Sequence, residues 1–201
     1  MNKIDGKFWD ERYASEKTVY GYEPNVFFKE QLDKLNPGHI LMPGDGEGRN
    51  GVYAAKNGWL VDSVDFSNVA RDKALDLAKI SEVNISYLVK DLAEYEPHKN
   101  YYDAAGIIFL HLDKVLSKIF FNKVVESLKP GGVLIFEAYS EEQLGRNSGG
   151  PQDLSVLYGL DEIKNIFQEL NPILSVKEEI FLNESHFHTG NASVIRFVGT
   201  K

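Results

Sequence analysis

Gly44, Gly46 and Gly48 stand at alternate positions between the apolar run Ile40-Leu41-Met42 and the helix-like "GVYAAKNG", with Asp45 and Glu47 between them and Arg49-Asn50 behind. A glycine-rich turn from strand to helix leaves backbone N–H groups open to a ligand. A phosphate-gripping loop requires Lys and then Ser or Thr after its last glycine, and Arg49-Asn50 is not that pair. A dinucleotide loop spaces its glycines G-x-G-x-x-G. Here the spacing is tighter, and Asp45 and Glu47 would face the pyrophosphate at a cost of about a few kcal/mol. Asp65 closes the second apolar run, where a carboxylate can bind both ribose hydroxyls. Asp91-Leu92 closes the third, where Asp91 can take an adenine amino group while Phe66 and Leu92 sandwich the ring. S-adenosylmethionine meets these conditions: it is an adenosine without phosphate, and its sulfonium and ammonium suit an acidic loop.

Each of these residues also has a plain structural reading. Asp45 and Glu47 can be solvated loop acids at a helix N-terminus, Asn50 an N-cap, Asp91 a turn former, and Trp9 and Tyr13 core aromatics. Asp103 opens a strand and reads as structural. His111 follows the fourth apolar run, where donor and acceptor of a transferred group would meet. His186 and His188 lie two apart in a turn; without a third ligand at motif spacing they give no metal site, and no metal is expected. With no cysteine, the chain has neither disulfides, thiolate metal sites nor a cysteine nucleophile.

The elements that must hold these residues alternate regularly. Apolar runs at 40–42, 59–65, 85–91, 102–110 and 133–139 are separated by helical patterns at 50–58, 68–81 and 113–129, which predicts parallel strands with crossover helices. Pro130-Gly131-Gly132 stops the third of these helices. Residues 140–159 have no period and read as a long loop, either a functional lid or disordered, followed by a helix over 160–170 that Pro172 breaks. "ILSVKEEIFLNE" and "NASVIRFVGT" then form a terminal antiparallel hairpin. Residues 1–38, with helical patterns at 5–15 and 25–35, are expected to cap the α/β core of 39–201 within a single domain. At 201 residues the chain has the length of one domain with a full core. Its 22 Lys and Arg against 30 Asp and Glu, a net charge of −8, argue against a nucleic-acid partner. There is no membrane-length apolar run, and the charged start "MNKIDGKFWDER" has no h-region, so a cytoplasmic protein without a membrane partner is expected, monomeric or a weak homodimer.

Taken together, "FWDERY", "YGYEPN", "PGDGEGRN", "VDFS", "KDL", "YDAAGIIFLHL", "LKPGGVLIFEAY", "GGP" and "HTGNASVIRFV" resemble the class I S-adenosylmethionine-dependent methyltransferases, nearest the tellurite-resistance and thiopurine S-methyltransferase-like group. The likeness runs from about Phe8 to the end. It implies a three-layer Rossmann-like fold, a seven-stranded mostly parallel sheet with an antiparallel C-terminal strand, and an N-terminal segment closing over the cofactor. It implies cofactor contacts from Trp9, Tyr13, Tyr20, Gly44, Asp45, Gly46, Asn50, Asp65, Phe66, Asp91, Leu92 and Phe109. His111, Tyr139, Arg146 and His188 are the candidates on the acceptor side. Two residues depart from the pattern: Met42 stands where relatives carry an acid, and Asp45 where a small residue is usual. A donor activated by its own sulfonium needs alignment more than a base, and the base inventory is thin. The expected reaction is methylation of a small soft acceptor such as a thiol or a selenium or tellurium oxyanion. The alternatives are O- or N-methylation of a small metabolite, or cofactor binding without turnover; a dehydrogenase comes last.

Overall fold

The computed structural model describes residues 6–14, 18–185 and 187–201, and His186 lies outside them. Its elements follow the chain as α1 (Gly6–Ala14), α2 (Val26–Leu32), β1 (His39–Pro43), α3 (Arg49–Lys56), β2 (Leu60–Asp65), α4 (Asn68–Ile80), β3 (Ser86–Val89), β4 (Tyr102–Ile108), α5 (Lys114–Ser127), β5 (Leu128–Tyr139), α6 (Leu160–Ile166), β6 (Asn171–Ser185) and β7 (His188–Thr200). The seven strands lie in the order β3-β2-β1-β4-β5-β7-β6. β1, β2, β3, β4 and β5 pair in parallel, and β7 runs antiparallel to both β5 and β6. This is the α/β, Rossmann-like sheet expected. Strand order turns back between β1 and β4, so the crevice for a ligand opens beyond the carboxyl ends of those strands.

Alternation along β1 shows how two layers of helix are built onto one sheet. Ile40 and Met42 pack with Phe27, Phe28 and Leu32 of α2 and Ala54 of α3, whereas Leu41 joins the core of α5 and α6 around Phe120, Phe121, Ile163 and Phe167. Met42 thus spends its side chain in the core, its sulfur against Gly106.

Boundaries differ from the sequence reading at the start of β5 and at the end of α6. β5 starts at Leu128, before Pro130: Leu128 pairs with Tyr102, the register then slips, and pairing resumes at Val133 with Ala104. The helix at 160 ends at Ile166, well before Pro172, which instead opens β6, an edge strand that tolerates a missing donor. Residues 140–159 are a packed loop with two short 3-10 turns, a bridge between Ser140 and Tyr158, and buried Gln143, Ser148 and Leu157.

Candidate cofactor and acceptor site

The glycine loop is shaped by its neighbours on every side. Gly44 donates its N–H to the Val64 carbonyl at 2.7 Å, and Tyr87 of β3 donates its hydroxyl to the Gly46 carbonyl at 2.7 Å. Gly46 has φ +55, and a β-carbon there would stand 2.7 Å from the Tyr13 hydroxyl; at Gly48, φ +79, it would stand 2.6 Å from the Ala74 methyl of α4. Any side chain at these positions would separate the loop from α1 or α4.

Asp45 does not point outward. Its carboxylate accepts from the Ser63 hydroxyl at 2.6 Å and the Gly51 N–H at 3.2 Å, tying the loop to β2 and α3. Burial raises it to about 6 against the pull of those two donors. Asp65 accepts from the Gly46 N–H at 3.2 Å and the Ser67 N–H at 3.0 Å, so it joins the β1–α3 and β2–α4 turns; burial raises it too to about 6. Two buried carboxylates, both disfavoured as anions by desolvation, form a cradle that gains from a cationic ligand and repels a phosphate. Phe66 is half-buried beside them.

The N-terminal residues close the loop from above. Trp9 stacks on Tyr13 with centroids 5.6 Å apart, and Tyr13 is buried with its phenol raised by desolvation and by Asp65. Asp10 accepts from the Ser67 hydroxyl and, at 3.4 Å, from the Val69 N–H, which fastens α1 to the start of α4. Asn50, the expected cap or ligand contact, receives the Asn25 N–H at 2.9 Å and so holds the N-terminal segment. Asn25 donates onward to Glu137 at 2.6 Å and Glu184 at 2.9 Å. Arg49 pairs with Glu184 at 2.7 Å and Arg196 with Glu137 at 2.7 Å.

Beyond β4 and β5 an aromatic group assembles. His188 lies 4.8 Å from Tyr20, 4.8 Å from Phe109 and 5.7 Å from Tyr139, centroid to centroid. Phe109 holds a left-handed backbone, φ +51, with its N–H on the Glu137 carbonyl. His188 is lowered by burial and therefore neutral near pH 7; its Nδ1 lies 3.5 Å from Glu184 without forming a hydrogen bond. Burial opposes ionisation of Glu184, but the Arg49 guanidinium 2.7 Å away holds it below the usual carboxylate range.

His111 is occupied on both nitrogens. Nδ1 sits 2.7 Å from the Val156 carbonyl, which can only accept, so Nδ1 carries the proton and Nε2 receives the Tyr139 N–H at 3.4 Å. Burial lowers it to about 4. Arg146 is engaged by the Glu142 carbonyl and, at 2.6 Å, by Glu179 of β6. Asp91 stands exposed and accepts from the Ala93 N–H at 2.8 Å, a turn role, while Leu92 is buried in the α5-side core. The loop acids, Asp65 and the N-terminal tyrosines are thus brought together; Asp91 stands on the exposed turn after β3, and Arg146 reaches to β6. Tyr87, Asn25, Arg49 and Glu184 escaped sequence reasoning. Only Asn25, at the head of a helical pattern, carried a signal there.

Comparison with known proteins agrees with this geometry. Residues 40–132 match the family described as a methyltransferase domain. The chain is 24% identical over 207 residues to malonyl-[acyl-carrier protein] O-methyltransferase 2 of Ilyobacter polytropus, covering 96% of this chain and 76% of the relative. In fold it is similar to TehB from Haemophilus influenzae, with a TM-score of 0.72 at 16% identity, over 98% of this chain and 66% of the other. It is similar also to the N-methyltransferase NodS from Bradyrhizobium japonicum in complex with S-adenosyl-L-homocysteine, with a TM-score of 0.70 at 16% identity and 98% of each chain covered. The chain is an enzyme of the methyltransferase class with S-adenosylmethionine as its cofactor. Among the described residues no helix is long and apolar enough to cross a membrane.

Proposed function

We propose that this methyltransferase acts on a small soft acceptor, a thiol or a selenium or tellurium oxyanion, in the manner of the tellurite-resistance and thiopurine group. The observation that carries the reading is that neither His111 nor Tyr139, the titratable side chains at the carboxyl ends of β4 and β5, is free to act as a base. His111 has both nitrogens engaged, and burial pushes the Tyr139 phenol far up. An acceptor that arrives as an anion or a soft lone pair needs no proton removed. Asp65, Gly44, Gly46 and the Tyr13 side of α1 would hold the cofactor, which supplies an already activated methyl group. Phe109, Tyr139 and His188 exclude water from the side where the acceptor meets it.

O- or N-methylation is the second reading, and His188 favours it. It is a buried neutral imidazole beside Glu184, able to take a proton from a hydroxyl or ammonium. The acceptor is a small molecule in either case. The single domain with its helical cap fits a cytoplasmic monomer or weak homodimer without nucleic-acid or membrane partners. The test is methyl transfer from labelled S-adenosylmethionine to tellurite, selenite, small thiols and malonyl-acyl-carrier protein, with pH–rate profiles. Transfer to the chalcogen or thiol set with a flat profile near neutrality supports the first reading. Transfer confined to an oxygen or nitrogen acceptor, with a profile abolished by His188→Ala, replaces it with the second.

A further inference from the structure

Glu47, in the middle of the glycine loop, has its carboxylate turned away from solvent and toward the N-terminal segment. Oε2 accepts from the Val19 N–H at 2.8 Å, the Tyr20 N–H at 3.3 Å and the Thr18 hydroxyl at 3.2 Å. Oε1 receives the Lys73 ammonium at 2.9 Å, and that same ammonium donates to the Tyr13 carbonyl at 2.5 Å. Four donors converge on one side chain that is only 7% exposed. Charge-assisted bonds of this kind are about twice as strong as neutral ones, and the group they satisfy would otherwise be a buried bare anion.

We propose that Glu47 is a positioning residue through which the cofactor loop holds residues 18–20 and the end of α1 in place, so that this one carboxylate governs how long the cofactor stays bound. It acts through two tyrosines. Tyr13 places its hydroxyl over Gly46, and Tyr20, whose N–H Glu47 holds, lays its ring on His188. A ligand that orders the glycine loop therefore orders the segment above it, and release requires the four donors to leave Glu47 together. The loop thus has its two acids on different tasks: Asp45 fastens it downward to β2 and α3, and Glu47 fastens the N-terminal segment onto it.

The experiment uses S-adenosyl-L-homocysteine as the probe and Trp9, stacked on Tyr13, as the fluorophore. Stopped-flow dissociation is recorded for the full chain, Glu47→Ala and Glu47→Gln, with Trp9→Phe to confirm the source of the signal. Glu47→Ala should speed dissociation by roughly 10- to 100-fold while association changes by less than about threefold. Glu47→Gln keeps one oxygen for the Val19 N–H and should recover a substantial part of the slow release. Bound probe should protect the bond after Arg12 from trypsin in the parent and fail to do so in Glu47→Ala. An unchanged dissociation rate in Glu47→Ala overturns the proposal. So does equal damage in both variants with a matching fall in the melting temperature of the ligand-free protein, since that assigns Glu47 a purely structural role. The outcome is independent of which acceptor the enzyme methylates.

Discussion

Asp65 is where residue chemistry and cofactor binding meet most directly. Its two oxygens each hold a backbone N–H of a different turn, so Asp65→Ala loosens both turns together and removes the proposed ribose partner. The expected loss in affinity for S-adenosyl-L-homocysteine is about 1–3 kcal/mol by calorimetry, and an unchanged affinity removes Asp65 from the site. Asp45 and Asp65 also set a pH dependence. Both are raised from 3.8 to about 6 in the fold. The folded chain therefore holds more protons than the unfolded one across that interval. These two groups thus favour folding most at low pH, and their contribution falls as pH rises through about 6. Asp45→Asn should flatten its share of that decline, measured as the difference from the parent in urea unfolding at pH 4.5 and 7.5; an unaltered pH slope contradicts the assignment. Binding runs the other way: affinity for cationic S-adenosylmethionine should strengthen as pH rises through 6, and more so than for the uncharged thioether product. At this scale the sequence was only partly legible. The place of Asp65 at a strand end was readable, because parallel sheets put ligands there. The direction of the Asp45 and Glu47 side chains was not, because it depends on Ser63, Gly51 and Val19 reaching the loop from three other segments.

At the scale of elements, the end of β4 is the strained one. Phe109 occupies the left-handed region with its ring between Tyr139 and His188, at centroid distances of 4.6 and 4.8 Å. Left-handed backbone costs a non-glycine residue about 1–2 kcal/mol, so packing of the ring holds the backbone there. Removing the ring destabilises the chain in both Phe109→Ala and Phe109→Gly. The order between the two should be reversed from normal: the glycine variant should be the more stable by about 1 kcal/mol, where glycine is ordinarily the worse by ~0.5–1 kcal/mol. Chemical denaturation of the pair decides it, and the ordinary order would mean that position 109 is unstrained. The regular elements themselves were readable from periodicity, since each strand and helix buries a face that its own sequence displays. The start of β5 at Leu128 was not, because pairing with Tyr102 overrides Pro130 through a slipped register. Nor was the packing of 140–159, whose buried Gln143 bonds Ser148 and Ser193 across the fold and leaves no periodic trace.

Across the whole molecule, a buried polar chain ties the two ends of the sequence to the middle. Arg49 at the start of α3 pairs with Glu184 near the end of β6; Asn25 joins Glu184 to Glu137 in β5; and Arg196 of β7 closes onto Glu137. Burial raises Glu137, and Arg196 and Asn25 oppose the rise. A buried pair contributes less net stability than its geometry suggests, but losing one partner strands a charge at a cost of about 3–5 kcal/mol. Glu184→Leu and Arg49→Met should each lower the urea midpoint strongly, and the double variant should be much closer to the parent than the sum of the two. Additive losses would show that the two charges do not interact. The consequence reaches beyond stability. Arg49 follows the glycine loop directly, and Glu184 is four residues before His188, so this pair sets the distance between the cofactor cradle and the aromatic group where an acceptor would stand. The charge-free double variant should therefore keep most of its affinity for S-adenosyl-L-homocysteine, for which Asp65 and the loop backbone are the proposed cradle, while methyl transfer falls. Affinity and transfer rate falling in proportion would place Arg49 in the cofactor cradle itself.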